Sequence, residues 1–426
     1  GGRRVVDTAQ ETILEKAWAS SQGSLSNFPL RGTAQATGHK LPASLVRYVT
    51  PFTSWSAFNA SVWSRGNTMV FSSTGTSYSD TSRTPSDLTS TSSVSASTAY
   101  RVYIRVKVCD SSTAAGGIES NCVQYGSNYK PEGLLQQYAS KIRYSTFSYL
   151  NAEGSTQQGG VMRAPMGFIG PTYPTPLSTT VVTNARAEWH ASTGIMKTNP
   201  DTSSATASGV SQSGVMNYLN QFGQTAKTYM TYDNVSEVYY AVVRYFENLG
   251  NVPEWTDAVA TGATNRATKL DGFPAVTSWT DPITYSCQKN FVLGIGDNHT
   301  HHDYNVGGAA ASGGRAKPSA VSSDALNKAE TWTRNLQALE GLTQTPWWNN
   351  GGTNSTYYIA GLAYGTHVND IRSDLTGTQT ISTYWMDVME YQRAEDRNPY
   401  WLAAKYGGFS VPSNYDASNT TTTLTN

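Results

Sequence analysis

The sequence predicts an α/β protein with a largely parallel central sheet, preceded by a Ser/Thr-rich region of short strands and loops. Three observations predict it. From residue 100 onward, strand-like and helix-like segments alternate. One of them, NFVLGIG at 290–296, is a nearly continuous apolar run, typical of a central strand buried on both faces. The stretch from 21 to 98 instead carries scattered aromatics (Phe52, Trp55, Phe58, Trp63) among Ser, Thr and Gly.

The elements follow in order. Residues 7–20, DTAQETILEKAWAS, read as a helix with Ile13, Leu14 and Trp18 on one face and Asp7 as its cap. Residues 74–98 are low in complexity and read as a surface loop or linker. YRVYIRVKV at 100–108 alternates apolar and polar residues, the period of a half-buried strand. Pro131 opens a helix over PEGLLQQYASKI. A strand follows at 143–150, then helices at 213–222 and 235–249, the latter stopped by Gly250. After the apolar strand come a helix at 323–340 and strands at 356–364 and 381–389. The domain boundaries are accordingly 1–99, 100–409 and a tail or linker at 410–426.

Composition excludes several functions. Charged residues are 14% of the chain, against roughly 25% in ordinary soluble domains, an uncharged polar character common in secreted proteins. Net charge is +0 and no Lys/Arg run stands out, so no nucleic-acid footprint is present. No apolar stretch reaches the roughly 18 residues that a membrane span needs. The chain opens on Gly1 without a secretory signal pattern and reads as a mature or cleaved form.

The three cysteines are Cys109, Cys122 and Cys287. Cys109 and Cys122 flank a short loop and read as a disulfide, the alternative being two buried thiols; Cys287 is left over. In parallel sheets, ligands bind beyond the carboxyl ends of the strands. The loop after NFVLGIG reads GDNHTHHDYNVGG and gathers Asp297, His299, His301, His302 and Asp303. Two readings stand: a divalent-ion site built on Asp297, His299, His301 and Asp303, or a polar loop whose Asp297 caps the next turn. Carboxylate ligands favour magnesium or calcium, and imidazole favours zinc or nickel. Asp110, Ser111 and Ser112 offer a second set of oxygen ligands, or a turn stapled by the disulfide. Asp233 and Ser236 read as caps of the helix at 235. No GxSxG elbow and no phosphate loop occurs, and the residues give no sign of an enzyme.

Five segments resemble, in order, the PilY family of type IV pilus tip and biogenesis proteins. They are NCVQYGSNYKPEGLLQQYASKIRYSTFSYLN (121–151), RYFENLGNVPE (244–254), SCQKNFVLGIGD (286–297), YYIAGLAYGTHVNDIRSDL (357–375) and YWLAAKYGGF (400–409). The resemblance implies an extracellular protein of the bacterial surface, at or near the pilus. It would act in tip assembly and adhesion, with minor pilins or tip subunits and a host or abiotic surface as partners. A structural subunit that self-associates into a filament is the second expectation. The resemblance also implies a von Willebrand factor A-type fold, a doubly wound sheet with helices on both faces, over 100–409. Such domains often hold an ion on an Asp-x-Ser-x-Ser motif. Here Asp7-Thr8-Ala9-Gln10-Glu11 lacks both serines, and only Asp297 stands where the last Asp of that site is expected. Family members typically continue into a β-propeller. This chain stops at Asn426, and it reads as a fragment, a processed form or a relative without the propeller.

Overall fold

The computed structural model describes strands at 63–64, 68–72, 86–87 and 99–103, Cys109, and residues 118–417 except 152–157, 177, 224, 227–229, 231, 297–300, 311–314, 343–354 and 388–397. The helix expected at 7–20 and the ligands Asp110, Ser111, Ser112, Asp297 and His299 lie outside the described residues. The chain divides into two units, Gly1–Pro131 and Glu132–Asn426.

In the first unit, β1 (Trp63–Ser64), β2 (Thr68–Ser72), β3 (Ser86–Asp87) and β4 (Ala99–Tyr103) form one sheet in the order β1-β2-β4-β3. β4 is the start of the alternating YRVYIRVKV segment. β5 (Cys122–Tyr125) and β6 (Asn128–Pro131) form a hairpin whose turn uses Gly126 at φ 60°. The expected disulfide is present: Cys109 and Cys122 are joined, with Cα atoms 5.7 Å apart. Closing a loop of this length stabilises the folded chain by about 3 kcal/mol through the entropy of the unfolded state.

The second unit begins with α1 (Leu134–Gln137), only a fragment of the helix expected from Pro131 onward. β7 (Tyr144–Ser148) and β8 (Val161–Gly167) pair antiparallel, as do β9 (Thr172–Pro174) and β10 (Val181–Thr183). α2 (Thr202–Ser208) is capped by Asp201, and α3 (Val215–Gln221) follows where a helix is predicted. α4 (Val235–Phe246) buries Tyr239, Tyr240, Val243 and Phe246, spaced three and four apart. It stops earlier than predicted. Asn248 and Gly250 both take left-handed φ, and Leu249 N–H returns to the Arg244 carbonyl at 3.0 Å.

β11 (Asn290–Gly296) and β12 (Ile381–Asp387) pair in parallel, in register from Asn290 with Ile381 to Gly296 with Asp387. Between them run α7 (Ser319–Ser322), α8 (Ala329–Leu339) and α9 (Tyr358–Val368), and α10 (Pro399–Gly408) follows β12; α5 (Pro253–Thr256) and α6 (Arg266–Leu270) precede β11. The protein is thus mixed α/β. Among the described residues its strands pair in twos outside the first unit, and this is the one parallel pair of the second unit.

Two predicted elements are corrected. The run at 356–364 is not a strand but the first half of α9. Every residue from Tyr358 to His367 is buried, so the run carries no one-sided period to separate helix from strand. Gly361 and Gly365, one helical turn apart, are what the helix needs: a methyl group at either would overlap Thr333 or the Trp332 ring of α8. The second correction concerns β11. Asn290 and Val292 are buried, but Phe291, Leu293 and Ile295 are 51%, 66% and 57% exposed, so among the described residues only one face is covered. Gly294 lies beneath the Trp385 ring of β12, which stacks on Tyr400 of α10 at 4.3 Å.

The main core lies between α4, α8, α9, α10 and the covered face of this pair, around Tyr240, Leu336, Tyr358, Leu362, Ile381 and Leu402. Asn398 caps α10 by accepting from Tyr400 N and Trp401 N, with Pro399 in its first turn. A smaller cluster of Leu150, Val161, Val259 and Leu270 sits under β8.

Candidate functional site

The described residues after β11 return to the start of α4, where His301 meets Asp233 and Asn305 meets Glu237. Glu237, three residues after the N-cap Asn234, is fully buried. Its carboxylate accepts from Gly159 N at 2.6 Å, from Asn234 Nδ2 at 3.0 Å and from Asn305 N at 3.0 Å. One side chain therefore ties the segment before β8, the helix start and the loop after β11 together. Gly159 is required for this, because it holds φ 76° and a side chain there would overlap Trp255. Burial pushes the Glu237 carboxyl up to about 7, against these hydrogen bonds and with a further push from Asp303. Arg315 is the cation of the cluster, and Glu237 supports its charge although desolvation lowers its pKa.

The described part of the predicted ligand set divides. His301 donates its backbone N–H to the Asp233 carbonyl at 2.6 Å, and its Nδ1 lies 3.3 Å from Asp233 Oδ1. Asp303 is fully buried, and its carbonyl accepts from Thr356 Oγ1 at 3.5 Å. His302, at φ 53°, is held below the ordinary imidazole range by burial, with Arg315 and His301 adding to the effect. Tyr232 packs against both imidazoles, with ring centroids 5.0 Å from His301 and 5.7 Å from His302. His301 and Asp303 do not converge with a third ligand among the described residues. The one such convergence there is Cys109, Glu119 and Cys122, whose sulfurs are already joined to each other.

The expected caps of α4 are corrected as well. Neither Asp233 nor Ser236 caps it: Asp233 turns to His301, and Ser236 Oγ accepts from Ile359 N at 3.2 Å, joining α4 to α9. Sequence reasoning missed Glu237 and Asn305. The spacing Asn234-x-x-Glu237 is that of a capping box and marks Glu237 as a residue that turns back on its own helix start. No signal marks Asn305, which contributes a backbone group. Cys287, the unpaired cysteine, is exposed on the approach to β11.

Chemically, the cluster is a hydrogen-bonded junction edged by the exposed Tyr232 and the half-buried His301 and Asp233. It holds loops in place and presents an aromatic and polar surface.

No family profile and no solved structure matches the chain. A curated relative does: the type IV pilus biogenesis factor PilY1 homolog of Xylella fastidiosa (strain Temecula1), 41% identical over an alignment that covers 100% of this chain. The chain spans 36% of that relative's length. No described helix is long and apolar enough to cross a membrane. Identity of this extent along the whole chain bears out the resemblance to the PilY family carried by the five segments.

Proposed function

We propose that this chain is an extracellular, non-enzymatic component of the type IV pilus system that acts in tip assembly and surface adhesion. The observation that carries the reading is the 41% identity over the entire chain to a pilus biogenesis factor. The partners are pilus subunits, minor pilins first, and a host or abiotic surface. The same relationship favours a doubly wound von Willebrand factor A-like sheet for the second unit. The parallel pair β11–β12, with α8 and α9 between its strands in the chain, supports that fold, since parallel neighbours need such a crossover.

The experiment is removal of the coding region from the chromosome, with surface pili counted by electron microscopy. Loss of pili, restored by the intact gene, is the expected result. Normal piliation together with normal surface attachment would contradict the reading.

A second reading, self-association into a filament, is favoured by the exposed face of the parallel pair. Phe291, Leu293 and Ile295 share it with Tyr384 and Met386, which are 53% and 57% exposed. Concentration-dependent polymers of the purified chain, lost in Leu293→Glu, would support it; a monomer at all concentrations would remove it.

A further inference from the structure

His367 stands in the last turn of α9, is 9% exposed, and takes no part in the cluster around Glu237. Both of its ring nitrogens face carbonyl oxygens. Nδ1 lies 2.9 Å from the Ile381 carbonyl, at the start of β12. Nε2 lies 2.7 Å from the Phe409 carbonyl, at the C-cap of α10. A carbonyl oxygen only accepts. A neutral imidazole has one N–H and one bare nitrogen, so in either tautomer one of these contacts sets two lone pairs against each other. Turning the ring over offers C–H groups to both oxygens and gives up both hydrogen bonds. Only the imidazolium, with a hydrogen on each nitrogen, donates to both carbonyls.

The surrounding helices supply a second, independent observation. His367 lies in the negative C-terminal turn of α9, and the oxygen that faces Nε2 belongs to the C-terminus of α10. Two helix ends of this polarity favour a positive charge between them. The ionisable groups of the neighbouring elements are engaged elsewhere. Tyr239 of α4 bonds Thr383 at 2.6 Å, and Tyr364 of α9 bonds Tyr415 at 2.8 Å. Lys405 and Tyr406 of α10 both reach Glu340. In the loop after α9, Asp370 accepts from Arg372 N and Gln379 N at 3.0 Å each, and the Arg372 guanidinium is held by Asp281 and Asp374. Among the described residues no carboxylate pairs with the His367 ring. Carbonyl oxygens and helix ends are what hold the charge.

We propose that His367 is a pH-sensitive clasp, which as an imidazolium ties the end of α9 to both β12 and the end of α10, and which releases the α10 end when it loses a proton. The two contacts are unequal. Ile381 is fixed by its pairing with Asn290, and its contact with Nδ1 is buried. The Phe409 contact is only partly buried, and the residues that follow Phe409 are exposed as far as Asn414. The hydrogen therefore stays on Nδ1, the Nε2 proton passes to water, and the bare nitrogen repels the Phe409 carbonyl. The stretch 409–417 loosens as a result, including Tyr415, whose ring packs against Phe409 at 5.6 Å. The clasp is separate from the loop after β11 and does not depend on the pilus assignment.

The test uses the whole chain with ¹⁵N-labelled histidine, read by nuclear magnetic resonance. His367 is assigned among the six histidines by the signals that His367→Gln removes, or through bonds from its own backbone amide if that variant fails to fold. At pH 7, where an exposed imidazole is mostly neutral, both His367 ring nitrogens are expected to carry hydrogens. As pH rises to 9, Nε2 alone should take the shift of a bare nitrogen. Amide exchange over 409–417, corrected for its intrinsic pH dependence, should then speed up by about tenfold. These local readouts separate the clasp from Glu237 and Glu247, which titrate in the same range. One bare His367 nitrogen at pH 7 would overturn the proposal. So would corrected exchange over 409–417 that does not change between pH 7 and 9.

Discussion

The two ends of α4 each bury a glutamate, ten positions apart, and their surroundings differ. Glu237 at the start meets N–H donors from three segments, with Arg315 as a counter-charge. Glu247, the C-cap residue at the end, shares the Asn327 amide with a second acid, Asp324. Burial raises both carboxyls, Glu237 to about 7 and Glu247 to about 8, the latter pushed further by Asp324. The first is a finished structural staple. The second has a single amide donor and a neighbouring acid, which together with burial favour its protonated form. Burial alone therefore does not decide the role of an acidic side chain; the number and kind of donors around it does.

The largest expected effect comes from cutting the staple. Glu237→Ala leaves the Gly159 and Asn305 N–H groups without their acceptor and takes one of two acceptors from the Asn234 amide, and should cost about 3–5 kcal/mol in urea unfolding. Glu237→Gln keeps the shape and one acceptor oxygen, and should cost less than half as much.

The pH dependence comes next. The ordinary glutamate value is 4.5, and both groups titrate above it when folded. The folded chain holds these protons more tightly than the unfolded chain. The resulting stability is complete below about pH 4.5 and is lost as pH rises through 7 and then 8. The thermal midpoint should therefore fall between pH 5 and 9 by the equivalent of a few kcal/mol. Glu237→Gln and Glu247→Gln should each flatten part of that fall, and a curve unchanged by both would refute the assignment.

Glu247→Gln sharpens the contrast between the two ends. It removes the repulsion from Asp324 and retains an oxygen for Asn327, so it should lie within about 1 kcal/mol of wild type, or above it. The smallest effect belongs to Asp233→Asn. The pair with His301 is partly exposed, and its loss should cost less than about 1 kcal/mol.

Much of the fold was legible where one face of an element is polar. The strands at Tyr144–Ser148 and Ile381–Asp387 and the helices α3, α4 and α8 lie where the periodicity places them. It was illegible where burial is uniform. The run Tyr358–His367 has no polar side, and its helical state rests on Gly361 and Gly365 fitting against α8, a tertiary fact. The apolar run Phe291–Ile295 misled in the opposite sense, since an uncovered apolar face reads like a buried one. Of the candidate site, His301 and Asp303 were visible as titratable residues in one loop. Glu237, which positions that loop, was visible only as a capping-box spacing, and Asn305 N–H carries no sequence signal at all. The pairing of Glu247 with Asp324, 77 positions apart by their numbering, depends on the packing of the 323–328 loop against α4 and was not legible locally.

The measurement that tests the central claim most directly is immunogold labelling of native cell-surface material with an antibody against this chain. Gold confined to pilus ends is the result expected of a tip component. Gold spaced regularly along fibres would make the chain a filament subunit, and gold absent from pili altogether would contradict the pilus assignment.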